Sequence, residues 1–152
     1  MKQQHFQLPL PELLYFVKKS CHESLHVTLN ELRDITEDAT LKLKSENLRI
    51  YILDFIREIQ AHLNFEETLI FPSIAAGEGK NKASSIYSLI DDHHQISLSL
   101  FEIRKMSSDF PLMLDIDSKK MIFFKKLKEM DRIVHNHIQI ENNILFPMVL
   151  SD

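Results

Sequence analysis

His62-Leu63-Asn64-Phe65-Glu66-Glu67-Thr68-Leu69-Ile70-Phe71-Pro72 returns 75 residues later as His137-Ile138-Gln139-Ile140-Glu141-Asn142-Asn143-Ile144-Leu145-Phe146-Pro147. Both stretches read His, then Glu four places on, and both end on Phe-Pro at the same offset. On a helix, residues four apart project from one face, so each stretch aims an imidazole and a carboxylate the same way. The surrounding periodicity says which way. The first stretch lies in the apolar stripe Leu48, Ile52, Phe55, Ile59, His62, Glu66, Leu69. The second lies in Phe123, Leu127, Met130, Val134, His137, Glu141, Ile144, Met148. Steps of three and four mark the core-facing seam of a bundle helix. His and Glu therefore occupy places where Leu would be ordinary. A buried ionised Glu is costly unless paired, protonated or bound to a cation. Two of them, each one turn from a His, predict a metal site.

The rest of the chain supplies matching helices. With 44% hydrophobic residues and only 2 Gly and 5 Pro in 152 residues, the composition leaves few breakers for the turns of an all-β fold. The length suits one domain, residues 1–152. Helices are predicted over about residues 10–36, 46–75, 82–107 and 118–149, with Pro11 in the first turn of the first. Leu14, Val17, Cys21 or His22, Leu25, Leu29 and Leu32 form the inner stripe of helix one. The seam of helix three, Ile86, Leu89, His93, Ile96, Leu100 and Ile103, selects His93 over His94. His26, one turn after His22, could turn into the core, but Arg33 one heptad on points to an exposed face; His135 falls off its seam and is expected to face solvent. Residues 108–117, with Pro111, read as a loop whose Leu112, Met113 and Leu114 cover one bundle end. Short connections favour an all-α, antiparallel up-down-up-down four-helix bundle. Its four seams offer His22; His62 and Glu66; His93; and His137 and Glu141.

The net charge of −4 gives no nucleic-acid footprint. The single Cys excludes an intramolecular disulfide and fits a reducing compartment. No apolar run is long enough to cross a membrane, and no signal peptide opens the chain, so a cytoplasmic location is expected. Imidazole with carboxylate suits non-haem iron, with manganese or zinc as alternatives. Two Glu can bridge two ions, leaving two His for each.

These motifs resemble the hemerythrin-like, HHE cation-binding domain, and in particular the di-iron domain of proteins that repair iron-sulfur centres. The two His-to-Pro stretches look like that family's bridging-carboxylate segments. SCHESLHVTLNEL, residues 20–32, resembles its first ligand segment, with His22 in the ligand place; DDHHQISLSLFEIRK, residues 91–105, resembles its third, with His93. The resemblance implies a hemerythrin-like bundle holding two non-haem iron ions with an oxo or hydroxo bridge. It also implies oxygen or nitric oxide as ligand, and a role in oxidative or nitrosative stress or iron-sulfur centre repair. A metal-responsive sensor or storage protein without catalysis is the rival reading. Whether the protein is an enzyme, and which protein partner it has, is left open. Family members bring one more His about 21 residues after the first. Here that place falls near Leu43, so His26, Glu46 or water would have to complete the set. Repair proteins also carry a small Cys-bearing domain ahead of the bundle, whereas this chain begins almost at helix one. One ion is therefore expected to be well ligated and the other to keep a vacancy.

Overall fold

Pro9 and Pro11 open the first helix, where a missing N–H costs nothing and the fixed φ suits the first turn. Helix α1, residues 10–37, joins α-helical Leu10–Phe16 and Glu23–Glu37 through a π-helical turn, Val17–His22. Helix α2, residues 46–75, follows Ser45, whose hydroxyl caps it by accepting the Asn47 amide. A 3₁₀ turn, Gly79–Lys82, leads into α3, Ala83–Met106. Helix α4, residues 118–150, completes the four long helices of the computed structural model, which describes residues 8–107 and 118–151. The loop expected around Pro111 lies outside the described residues. Among those described, no helix is long and apolar enough to cross a membrane.

Side-chain pairs give the topology. From α1 to α2, contacts run from His22 with Glu67 to Asn30 with Gln60, one number rising as the other falls. The same inversion links α3 to α4, from His93 with Asn142 to Arg104 with Asp131. It links α1 to α4 through His22 with Glu141 and Glu31 with Lys126. The bundle is all-α, with antiparallel neighbours.

Two apolar clusters lie either side of the His and Glu residues. One contains Leu29, Leu32, Phe55, Ile59, Leu100 and Leu127; the other contains Leu13, Val17, Phe71, Ile86, Leu89 and Phe146. Each fully buried side chain of this size contributes roughly 1.5–3 kcal/mol relative to exposure. This packing holds the polar layer between the clusters in place. At the first cluster's end, Arg49 donates to the Thr36, Asp38 and Leu41 carbonyls, tying down the α1–α2 connection. At the other end Gly77 takes φ +78°, a conformation that favours glycine. A Cβ on Gly79 would stand 2.5 Å from Val149 Cγ1, so this loop closes directly onto α4.

One detail departs from the predicted seams. Glu66–Ile70 and Glu141–Leu145 are π-helical turns, closed by Phe71 N–H to Glu66 O and Phe146 N–H to Glu141 O. Pro72 and Pro147 follow each turn closely. Proline offers no N–H, and its ring crowds the carbonyl four residues back, here Thr68 and Asn143. A wider turn relieves that crowding and advances the buried face by one residue. Leu69, predicted inward, is 38% exposed while Ile70 is fully buried. Likewise Val149, rather than Met148, is buried at the end of α4. The π turn in α1 explains why its stripe reads as Cys21 or His22: both are buried.

Candidate metal centre

Each helix sends its seam residue into the layer between the two clusters. His22, His62, His93 and His137 are 1–7% exposed, and Glu66 and Glu141 are fully buried. All six predicted residues come together. The imidazoles fall into two pairs, His22 with His137 at 4.6 Å between ring centroids and His62 with His93 at 4.8 Å. The carboxylates lie between them. Glu66 Oε1 is 3.0 Å from His62 Nε2 and 3.5 Å from His137 Nε2. Glu141 Oε1 is 3.2 Å from His93 Nε2 and 3.4 Å from His137 Nε2, while its Oε2 is 3.1 Å from His22 Nε2. Ligand atoms of His62, Glu66, His93, His137 and Glu141 all lie within 4.8 Å of one another.

The arrangement suits a cation better than it suits itself. Both Glu66 oxygens, Glu141 Oε1, His62 Nδ1 and both His137 nitrogens are buried without a hydrogen-bond partner. Buried polar atoms are rarely left so. His62 Nε2 and His93 Nε2 meet at 3.1 Å, where at most one proton can sit between them. Imidazole nitrogens and carboxylate oxygens aimed at one interior are the donor set of a non-haem metal centre. The residues present therefore fit a metal.

In the protein without metal, the charges adjust. Burial, followed by the neighbouring His137, pushes His22 down to about 3. Burial dominates again in pushing His93 down to about 4. Burial also pulls on His62, but the Glu66 carboxylate 3.0 Å from its Nε2, with the charge of Asp92, leaves it raised. Burial and the charge of Glu66 hold Glu141 well above the usual carboxylate range. Glu66 stays well below that range: burial opposes it, but the close polar groups of Glu141, His137 and His62 prevail. The pair thus shares one proton, the expected outcome for two buried carboxyls held together.

Phe71 packs on the His22 ring at 4.9 Å, and Phe146 stacks on the His93 ring at 6.1 Å and 11°. Each Phe-Pro ending thus shields the imidazole of a neighbouring helix. The residue after each seam Glu faces the same imidazole. Glu67 Oε2 is 3.3 Å from His22 Nδ1, and Asn142 Oδ1 is 2.6 Å from His93 Nδ1. Sequence reading missed Glu67, Asn142, Phe71 and Phe146. Their signal was the repeat itself, which places each at the same offset from its His.

Three expectations are corrected. His26 does not face open solvent: it is half-buried, with Nε2 2.7 Å from Glu67 Oε2. Glu46 is no substitute ligand, because its carboxylate pairs with Arg49 at 3.0 Å and is 71% exposed. His135, off the seam as expected, is half-buried against Asp131 and Arg104. His94 is exposed, as the helix-three register requires.

Comparison with known proteins agrees with this geometry. The chain is 24% identical over 148 residues to the "Iron-sulfur cluster repair protein ScdA" of Staphylococcus haemolyticus, covering 91% of this chain and 67% of that one. It is 26% identical over 151 residues to the "Iron-sulfur cluster repair protein YtfE" of Edwardsiella ictaluri, covering 96% and 68%. Over 100 residues it is 26% identical to the "Iron-sulfur cluster repair protein DnrN" of Neisseria gonorrhoeae, covering 66% and 64%. The chain thus spans about two thirds of the length of these relatives. A family model for the hemerythrin HHE cation binding domain matches residues 16–149. With that match across nearly the whole bundle, the chain belongs to the hemerythrin HHE cation-binding domain family.

Proposed function

We propose that the protein binds two non-haem iron ions and uses them to handle oxygen, nitric oxide or iron in the response to oxidative or nitrosative stress, including repair of iron-sulfur centres. One observation carries this reading: four imidazoles and two carboxylates from four helices converge in a buried layer with several polar atoms unpartnered. His22 and His137 would hold one ion, His62 and His93 the other, and Glu66 and Glu141 both. Bound iron would supply redox chemistry and a position for a diatomic ligand. The chain's own part is to orient and to exclude water. Phe71 and Phe146 cover two of the imidazoles, and the apolar clusters above and below keep the layer dry. The names of the relatives support the iron-sulfur repair role.

The test is anaerobic loading with ferrous iron, followed by metal analysis, optical spectroscopy and exposure to oxygen and to nitric oxide. Two iron ions per chain and a spectral change with either gas are expected. A protein that takes up no stoichiometric metal overturns the reading. One that binds iron but reacts with neither gas, and restores no damaged iron-sulfur protein, supports storage or sensing instead.

A further inference from the structure

Between solvent and His22 stands a short hydrogen-bonded chain that the ligand set does not use. The His22 ring is buried, with Nε2 turned toward Glu141 and Glu66 and Nδ1 toward the α1–α2 cleft. In that cleft Glu67 Oε2 takes His22 Nδ1 at 3.3 Å and His26 Nε2 at 2.7 Å. The Glu67 and His26 side chains are 32% and 37% exposed. Both hydrogen bonds end on the same oxygen, so His26 anchors the carboxylate that holds His22. In the other half Asn142 Oδ1 meets His93 Nδ1 at 2.6 Å and is uncharged, while Asp92 Oδ2 stands 3.6 Å from His62 Nδ1, beyond hydrogen-bond reach, on a side chain 56% exposed.

We propose that Glu67, anchored by His26, is a positioning residue for His22 that makes the two metal positions unequal, a proposal resting on the two-ion reading above. An ionised carboxylate only accepts, so Nδ1 of His22 must carry the proton and Nε2 must present its lone pair to the interior. Asn142 imposes the same tautomer on His93 through its carbonyl oxygen. The two partners differ in charge. A carboxylate behind a ligating imidazole raises its basicity and its hold on a metal, and loss of such a partner costs about 10–100-fold in affinity. Asp92 makes no hydrogen bond to His62 and is screened by solvent, whereas Glu67 is hydrogen-bonded to His22, so the His22–His137 position binds its ion more tightly than the His62–His93 position. His26 and Glu67 thus act around the ligand set, where the missing fifth His had suggested a direct ligand.

The experiment uses the full chain with cobalt(II) as probe, titrated against a competing chelator, in wild type, Glu67→Gln, Glu67→Ala and Asn142→Asp. Wild type should bind two ions with unequal affinity. Glu67→Gln should weaken the tighter ion about 10-fold or more and leave the other within about twofold. Asn142→Asp should tighten the weaker ion. Nitrogen-15 spectra of the histidines in metal-free protein provide a second readout: His22 is the Nδ1–H tautomer in wild type and Glu67→Gln, and loses that preference in Glu67→Ala. A merely structural role for Glu67 would weaken both ions together and overturns the proposal, as does an unchanged affinity in Glu67→Gln. Wild type that binds no cobalt overturns the two-ion reading and this inference with it. Wild type that binds two ions equally overturns the inference alone.

Discussion

The two His-to-Pro stretches make the same shape with different outer residues. Residues 62–72 and 137–147 each contribute an inward His and Glu, a π turn beginning at that Glu, a proline that the turn accommodates, and a Phe laid on a neighbouring helix's imidazole. They differ one step out, where Glu67 faces His22 and Asn142 faces His93. A second difference flanks the partner imidazoles. Asp92, before His93, comes within 3.6 Å of His62 Nδ1, whereas the residue before His22 is the buried Cys21, whose thiol burial pushes up to about 11. The inward His and Glu are duplicated; the residues one step out are not. The repeat is a shared scaffold carrying unequal surroundings.

The largest test of that view removes the duplicated part. Glu66→Ala and Glu141→Ala should each abolish uptake of both ions, because each carboxylate faces imidazoles of both pairs. Metal analysis after iron loading checks this, and a variant that keeps one full equivalent would break the bridging role. Removing the metal from intact protein comes next. A ligand that binds only the folded form at about 1,000 times its Kd adds about 4 kcal/mol, which is a shift of roughly 10 °C for a chain of this size. Calorimetry with and without chelator should find the metal-free midpoint lower by about that amount. An unchanged midpoint would mean the buried layer is stable without a cation.

The shared π turns can be tested through packing. Ile70→Ala should cost roughly 2–5 kcal/mol, as core truncations do, while Leu69→Ala should stay within about 0.5 kcal/mol. Equal costs in urea unfolding would return the first stretch to an unbroken α-helix. The last effect is on pH. In metal-free protein His22 and His93 sit at about 3 and about 4, below their unfolded value. Acid therefore protonates the unfolded chain first. Their contribution is complete above about pH 6.5 and is lost as the pH falls toward 4, at roughly 1 kcal/mol per pH unit for each His. His62 and Glu141, both raised, act with the opposite sign in the same window, so the slope of chelated wild type between pH 7 and 5 is compared with that of His22→Ala; equal slopes would mean that His22 is not held neutral.

Much of this was legible in the residues. Periodic seams of three and four, few breakers and a repeated His-to-Pro stretch specify helices, their number and the six inward residues, because helix geometry turns spacing directly into direction. His93 separates from His94 for the same reason. The seam arithmetic failed at Leu69 and Met148, where proline forces a wider turn and spacing stops mapping onto direction. Glu67, Asn142, Phe71 and Phe146 stood in the repeat but act across helices, and spacing within one helix says nothing about a neighbour's imidazole. His26 was read as exposed because its own stripe is polar; a carboxylate on α2 draws it in. The sequence by itself thus determined the bundle and its inward His and Glu, since both follow from local periodicity. Only the tertiary structure decided which imidazoles pair, which carboxylate stands behind which ring, and that the two halves differ, because those are distances between helices brought together by packing.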